Sequence, residues 1–141
     1  MTPIEDFAWV AERSECTLAR VFEVLRQQVM EDVKIRQGKR APIATVWPER
    51  FSHGFRFVDG NNSFTVLLEG EGLDERVSFL KESQTIKATR NNGEIIIEGA
   101  PTLNVEGKCV LKIGSEEQPI WYFRKCALES LFFDTGYLTR P

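Results

Sequence analysis

The spacing of the apolar residues changes along this chain, and the change limits the folds that the chain can adopt. Up to Val33, large apolar side chains recur three or four positions apart, which is the period of an amphipathic helix. From Pro42 onward they recur at every second position, which is the period of a half-buried strand. After Pro119 a run dense in apolar residues follows. The sequence therefore predicts an antiparallel sheet that is preceded and followed along the chain by helices.

The N-terminal part is predicted to form either one long helix or two helices joined near Ser14. Thr2 can cap a first helix, and Ser14 offers a second cap. Gly38 is the expected end of the helical part, because glycine commonly follows the last turn. Lys34 and Arg36 precede it, where their charges would favour the negative end of the helix dipole.

The first hairpin is predicted around Gly60-Asn61. As a two-residue turn, this dipeptide would place Phe57 opposite Phe64. The same register would place His53 opposite Leu68, on the apolar face of the sheet. The alternate positions then form a more polar face, as expected for a sheet that is covered on one side.

The second hairpin is predicted at Asn92-Gly93, which favours a type I′ turn because both central residues need a positive φ. Counting outward from this turn pairs Lys87 with Glu98, and their opposite charges favour the register. It also pairs Thr89 with Ile96.

The predicted fold class is α+β, with an N-terminal helix or helix pair, an antiparallel meander of five to seven strands, and a C-terminal helix packed on the sheet. The last strand is expected at Cys109–Ile113, followed by cap and first-turn signals at residues 115–119. The last helix is expected at Ile120–Phe133, with its end at Gly136. At 141 residues without repeat or linker, the chain is expected to form a single domain, 1–141.

The cysteines and the N-terminus favour a cytoplasmic protein. Cys16, Cys109 and Cys126 are odd in number and show neither a C-x-x-C pair nor a metal spacing. Cys109 and Cys126 are therefore expected to be small buried hydrophobic residues. The first residues lack the basic and apolar regions of a signal peptide, and no apolar run reaches the roughly 18 residues that a membrane span needs.

The sequence offers little support for catalysis, so we lean against an enzyme and expect no catalytic residues, metal ligands or cofactor. His53 is the sole histidine, and no nucleophile motif accompanies it. An acid–base enzyme that uses His53, or paired acids such as Asp59 and Glu69, is the weakest hypothesis, because the spacing brings no titratable pair together. Nucleic acid is not expected as a partner, because 18 basic residues face 21 acidic ones.

The last helix carries more apolar side chains than one sheet face needs. One stripe consists of Ile120, Phe123, Ala127 and Leu131, and an adjoining face consists of Trp121, Leu128 and Phe132. The adjoining face would lie under the N-terminal helix, against a partner subunit, or along a ligand groove. These alternatives lead to the first functional hypothesis, a non-enzymatic protein-interaction module that self-associates, with a dimer favoured, and that holds a protein partner.

The sheet suggests a second hypothesis, a module that binds a small apolar ligand. Its predicted apolar face is rich in aromatic rings, and Trp47 precedes it in the chain. An aromatic pocket between sheet and helix would draw polar groups from His53, Arg56 and Tyr122. Packing in the core is the competing use of these rings.

Overall fold

The computed structural model describes residues 9–39, 54–70 and 73–133. The predictions about Thr2, Trp47, His53 and Gly136 lie outside these residues. The described elements are α1 (Trp9–Glu15), α2 (Leu18–Lys39), β1 (Gly54–Asp59), β2 (Ser63–Gly70), β3 (Leu73–Glu82), β4 (Thr85–Thr89), β5 (Ile95–Leu103), β6 (Cys109–Ile113), β7 (Glu116–Gln118) and α3 (Ile120–Phe133). This order confirms the predicted α+β fold.

The N-terminal part forms two helices, and their junction lies after the predicted one. Ser14 does not cap α2, because its hydroxyl donates to the carbonyl of Val10 at 2.7 Å within α1. The cap is Thr17, whose Oγ1 accepts a hydrogen bond from the backbone N–H of Arg20 at 3.3 Å. The helical spacing runs through both helices, so spacing alone could not locate the break.

The seven described strands form one antiparallel meander in the order β1 to β7, the upper limit of the predicted number. The helices α2 and α3 cover one face of the sheet, where the buried side chains of all three elements form one core. Aromatic rings run through this core from Phe57 to Phe64 (5.5 Å between centroids), to Phe79 (4.8 Å) and to Phe123 (6.3 Å). The opposite face carries polar pairs such as Thr65 and Ser78, whose hydroxyls lie 3.0 Å apart.

The first hairpin has the predicted faces but a different register. Phe57 lies opposite Val66 rather than Phe64, and Asp59 closes the hairpin opposite Phe64. The loop therefore holds four residues, 60–63, instead of two. A shift of two residues keeps every side chain on its face, since side chains alternate with a period of two. Leu68 lies opposite Phe55 rather than His53.

The second hairpin confirms the pairing of Lys87 with Glu98, but its turn differs from the predicted one. Only Gly93 has a positive φ, at 87°, so the turn is not type I′. The backbone N–H of Arg90 donates to the carbonyl of Glu94 at 2.9 Å, across a loop of residues 91–93. A bulge follows, and it shifts Thr89 opposite Ile95 rather than Ile96.

The segment before α3 is a strand, although cap signals were expected there. Glu116–Gln118 forms β7, an edge strand of the sheet, and pairs with β6. Gly114, with φ of 64°, lies in the turn between these two strands. The helix α3 begins at Ile120 as predicted, and its Phe123, Ala127 and Leu131 are buried.

The expectation that Cys109 is an unpaired hydrophobic residue was wrong. Cys109 forms a disulfide with Cys16, with the two Cα atoms 5.4 Å apart, and this bond links the end of α1 to the start of β6. Cys126 is half-buried and forms no disulfide with either described cysteine. Disulfides are typical of oxidising compartments, so the cysteines no longer favour the cytoplasm. Among the described helices, none is long and apolar enough to cross a membrane.

Candidate functional site

A groove of about 460 Å³ lies between α2 and α3 on the side facing away from the sheet. We call it the α2–α3 groove. Its apolar lining consists of Ile35, Trp121, Leu128, Phe132 and Phe133, and its charged lining consists of Asp32, Arg36, Arg124, Lys125 and Glu129. The groove contains all three residues that the sequence placed on the adjoining face of the last helix.

Leu128 and Phe132 form the floor of the α2–α3 groove. Both side chains are buried within the chain, and the Phe132 ring meets the Phe55 ring edge-on, with centroids 4.9 Å apart. Burial within the same chain therefore applies to these two residues, which lie beside the N-terminal helix α2 as one alternative expected, although Phe132 also packs on β1. An apolar floor of this kind needs no partner to keep it from water.

Three large apolar side chains on the rim of the groove remain exposed. Trp121 is 55% exposed, Ile35 is 55% exposed and Phe133 is 52% exposed. The Trp121 ring lies edge-on to Tyr122 at 6.1 Å, which leaves much of the indole in solvent. Clustered apolar side chains of this size on a surface are typical of interaction sites.

Arg36 holds the C-terminal end of α3 against α2. Its Nε and Nη2 donate to the carbonyl of Phe132 at 3.1 and 3.0 Å, and the whole side chain is buried. The guanidinium carbon lies 5.2 Å from the Phe55 centroid and 5.1 Å from the Phe133 centroid. The prediction that Arg36 favours the end of its own helix was therefore wrong, because it serves the negative end of another helix.

An ion pair joins the two walls of the groove. Arg124 Nε on α3 lies 3.1 Å from Asp32 Oδ2 on α2, and both side chains are about three-quarters buried. Burial raises the pKa of Asp32, and the charge of Arg124 opposes this rise. The buried Nε makes no hydrogen bond with any described residue, so the contact is an ion pair without an aligned N–H.

The outer surface of α3 carries four exposed residues at intervals of four, which we call the α3 outer stripe: Trp121, Lys125, Glu129 and Phe133. In its centre, Lys125 Nζ donates to Glu129 Oε1 at 2.9 Å. This hydrogen bond raises the pKa of Lys125, so its ammonium group stays charged near neutral pH. Lys125, Glu129 and Phe133 were not predicted as site residues, although their four-residue spacing from Trp121 is visible in the sequence.

Two other predicted site residues lie away from the groove. Arg56 is exposed on the opposite face of the sheet, where its Nε lies 3.3 Å from Glu69 Oε2, so its expected place in an aromatic pocket was wrong. Tyr122 packs at the edge of the core, and a hydrogen bond with Cys126 raises the pKa of its phenol. Trp47 and His53 lie outside the described residues.

The acids considered for catalysis do not form a pair. Asp59 ends β1, and its carboxylate accepts a hydrogen bond from Arg26 at 2.9 Å. Glu69 lies opposite Gly54 at the other end of the hairpin, five residues along the strand, or about 17 Å away. No group of three or more His, Cys, Asp or Glu residues in the described part of the chain could hold a metal ion.

No protein-family model, no curated protein and no solved structure matches this chain. The surface of the chain itself, and above all the α2–α3 groove with its exposed rim, is therefore the basis on which a function can be proposed.

Proposed function

We propose that this protein is a non-enzymatic interaction module that self-associates as a homodimer through the rim of the α2–α3 groove. One observation carries the proposal, the cluster of half-exposed Ile35, Trp121 and Phe133 around an apolar floor. Aromatic side chains beside such a floor are the usual anchors of protein–protein interfaces, because covering them removes a large apolar area from water.

A second copy of the chain is the partner that the charges around the groove favour. Lys125 and Glu129 expose opposite charges at the groove, and Asp32 and Arg124 add a mostly buried ion pair, so both signs lie within one small surface. A strongly acidic or basic partner would meet like charges there, which disfavours association. A second copy offers both signs in the same arrangement, as in a self-complementary two-fold interface.

Light scattering coupled to size-exclusion chromatography tests this proposal. The wild-type protein is expected to elute as a dimer at micromolar concentration, and Trp121→Glu as a folded monomer. The matched control is Trp9→Glu, because Trp9 is 63% exposed on α1, away from the groove, and its replacement should leave the dimer intact. A wild-type monomer at tens of micromolar would refute self-association, and dissociation of both variants alike would refute the groove rim as the interface.

A second candidate function uses the same groove as the site of a small apolar ligand. Its volume of about 460 Å³ lies within the usual range for ligand sites, and the exposed ammonium group of Lys125 would orient an anionic group. A thermal-shift screen with a library of apolar ligands tests it, since a ligand that binds the native state raises the melting temperature. A hit that raises the melting temperature of the wild type, but not that of Trp121→Glu, would favour this function.

A further inference from the structure

We infer that α3 packs against α3 of a second copy in antiparallel orientation, about a two-fold axis beside the exposed face of α3, midway between Lys125 and Glu129. The axis lies at the level of Ala127, whose own side chain is buried on the other side of the helix. This inference rests on the proposed self-association and adds its geometry. The α3 outer stripe is symmetric about this point, because Trp121 and Phe133 each lie six positions from Ala127, and Lys125 and Glu129 each lie two positions from it.

The chemistry of the stripe matches this symmetry. In the antiparallel arrangement, Trp121 faces Phe133 of the partner subunit, and Lys125 faces Glu129 of the partner subunit. Each end of the interface then joins two aromatic rings, which attract one another beyond the area they bury. The centre holds two ammonium groups and two carboxylates in alternation around the axis. The hydrogen bond between Lys125 and Glu129 within each helix fits the same ring of charges.

A parallel arrangement lacks this match. With the helices parallel and in register, Lys125 would face Lys125 of the partner subunit, and Glu129 would face Glu129 of the partner subunit. Like charges opposite one another cost binding energy and select against that orientation. The charges of the stripe therefore favour the antiparallel orientation of the second helix.

The dimensions of the stripe suit a compact contact. Trp121 and Phe133 lie twelve positions apart, which corresponds to about 18 Å along the helix. Ile35 on α2 lies beside the stripe on the groove rim and would extend the apolar contact on each side of the axis. Arg36 donates to the carbonyl of Phe132 and packs on the ring of Phe133, so it holds Phe133 in position at one end of the stripe.

Charge reversal tests the centre of the stripe. Lys125→Glu would gather four carboxylates around the axis, and Glu129→Lys would gather four ammonium groups, so each should weaken the dimer by about tenfold or more in sedimentation equilibrium. The variant with both changes restores alternation and should dimerise like the wild type. The control is Arg90→Glu, which breaks a similarly exposed pair with Glu94 outside the groove and should leave the dissociation constant unchanged.

Disulfide trapping tests whether the two α3 helices run antiparallel. The variants carry Cys126→Ser, which removes the free cysteine. A mixture of Trp121→Cys and Phe133→Cys should yield a covalent dimer of one chain of each kind. Each variant alone should not, since like positions in the antiparallel pair lie about 18 Å apart.

The outcomes separate this inference from the proposed function. A wild-type dimer that ignores both single charge reversals, or a covalent dimer formed by Trp121→Cys alone, overturns the antiparallel pairing while self-association stands. A wild-type monomer overturns both. A wild-type monomer whose Trp121 side chain is nevertheless shielded from solvent would assign the cover of the stripe to the chain itself, and it would also overturn both.

Discussion

The helices α1 and α3 both present an exposed tryptophan, but different forces hold them in place. α1 has seven residues and, within the described chain, buries none of its side chains. It is attached through the disulfide between Cys16 and Cys109, beside which the carboxylate of Glu12 accepts a hydrogen bond from the backbone N–H of Cys109 at 3.4 Å. α3 buries five side chains against the sheet and α2.

This difference changes what the two exposed tryptophans mean. Trp9 and its exposed neighbour Val10 stand on a helix that buries none of its described side chains, so no apolar floor lies beside them, and exposed apolar side chains without such a floor are common on protein surfaces. Trp121 stands at the edge of a groove whose floor is apolar, with Ile35 and Phe133 exposed nearby. Exposure alone therefore does not mark an interaction site, whereas exposure beside a buried apolar cluster does.

The largest effect on stability is expected from removing a buried side chain that holds α3 on the sheet. Phe123 is fully buried and its ring lies 6.3 Å from the Phe79 ring. Phe123→Ala is expected to reduce the free energy of unfolding by about 3–5 kcal/mol, through lost apolar burial and the cavity left behind. Urea denaturation measures this. The control Trp9→Ala on α1 should change the free energy by less than about 0.5 kcal/mol. Equal effects at the two positions would contradict the comparison.

Removing the covalent link should affect α1 first. The disulfide joins residues 93 positions apart, and its loss is expected to lower the free energy of unfolding by about 2–4 kcal/mol, because the unfolded chain is no longer constrained. After reduction, hydrogen exchange should rise at the amides of α1 while the amides of α3 stay protected. Unchanged protection of α1 would show that contacts other than the disulfide hold it.

Substitution of the cap residue tests whether α2 begins at Thr17, separately from α1. Thr17→Ala removes the side chain that accepts from the backbone N–H of Arg20, and it should lower the free energy of unfolding by about 1 kcal/mol. Ser14→Ala is the matched control, since the Ser14 hydroxyl bonds within α1 and caps no helix. If the two substitutions cost the same, Thr17 is not the cap that begins α2.

The smallest expected effect is a pH dependence at the ion pair between α2 and α3. Burial raises the pKa of Asp32 above its unfolded value, so the folded state holds this proton more tightly. Stability conferred by the protonated form is then lost as the pH rises from about 4, the ordinary aspartate value, through the folded pKa. The free energy of unfolding of the wild type minus that of Asp32→Asn should therefore fall over this range in pH-dependent denaturation. A difference that rises with pH would contradict a raised pKa of Asp32 in the folded state.

The fold was more predictable from the sequence than the site was. The alternation of apolar residues assigned Phe55, Phe57 and Phe64 to the covered face correctly, even though the loop of the first hairpin is two residues longer than expected. Faces survive such an error because a shift of two residues preserves the alternation. The turn types were predicted incorrectly, because they depend on backbone angles that a dipeptide such as Asn92-Gly93 favours but does not fix.

The site was predictable in part. Trp121, Leu128 and Phe132 were selected from their helical spacing, and all three line the α2–α3 groove. Spacing could not tell which of them stays exposed, because Leu128 and Phe132 are covered within the chain whereas the Trp121 side chain remains at the rim. The tetrad of the α3 outer stripe was readable in the sequence, but its exposure became evident only from the packed helix.

The sequence by itself determined the succession of helix, antiparallel sheet and helix, the covered face of the sheet and the apolar excess of the last helix, because hydrophobic periodicity is a local property of neighbouring residues. Only the tertiary structure decided that Cys16 meets Cys109 and that Arg36 donates to the carbonyl of Phe132. These partners are 93 and 96 positions apart, so their meeting depends on how the sheet and the helices pack rather than on any local pattern.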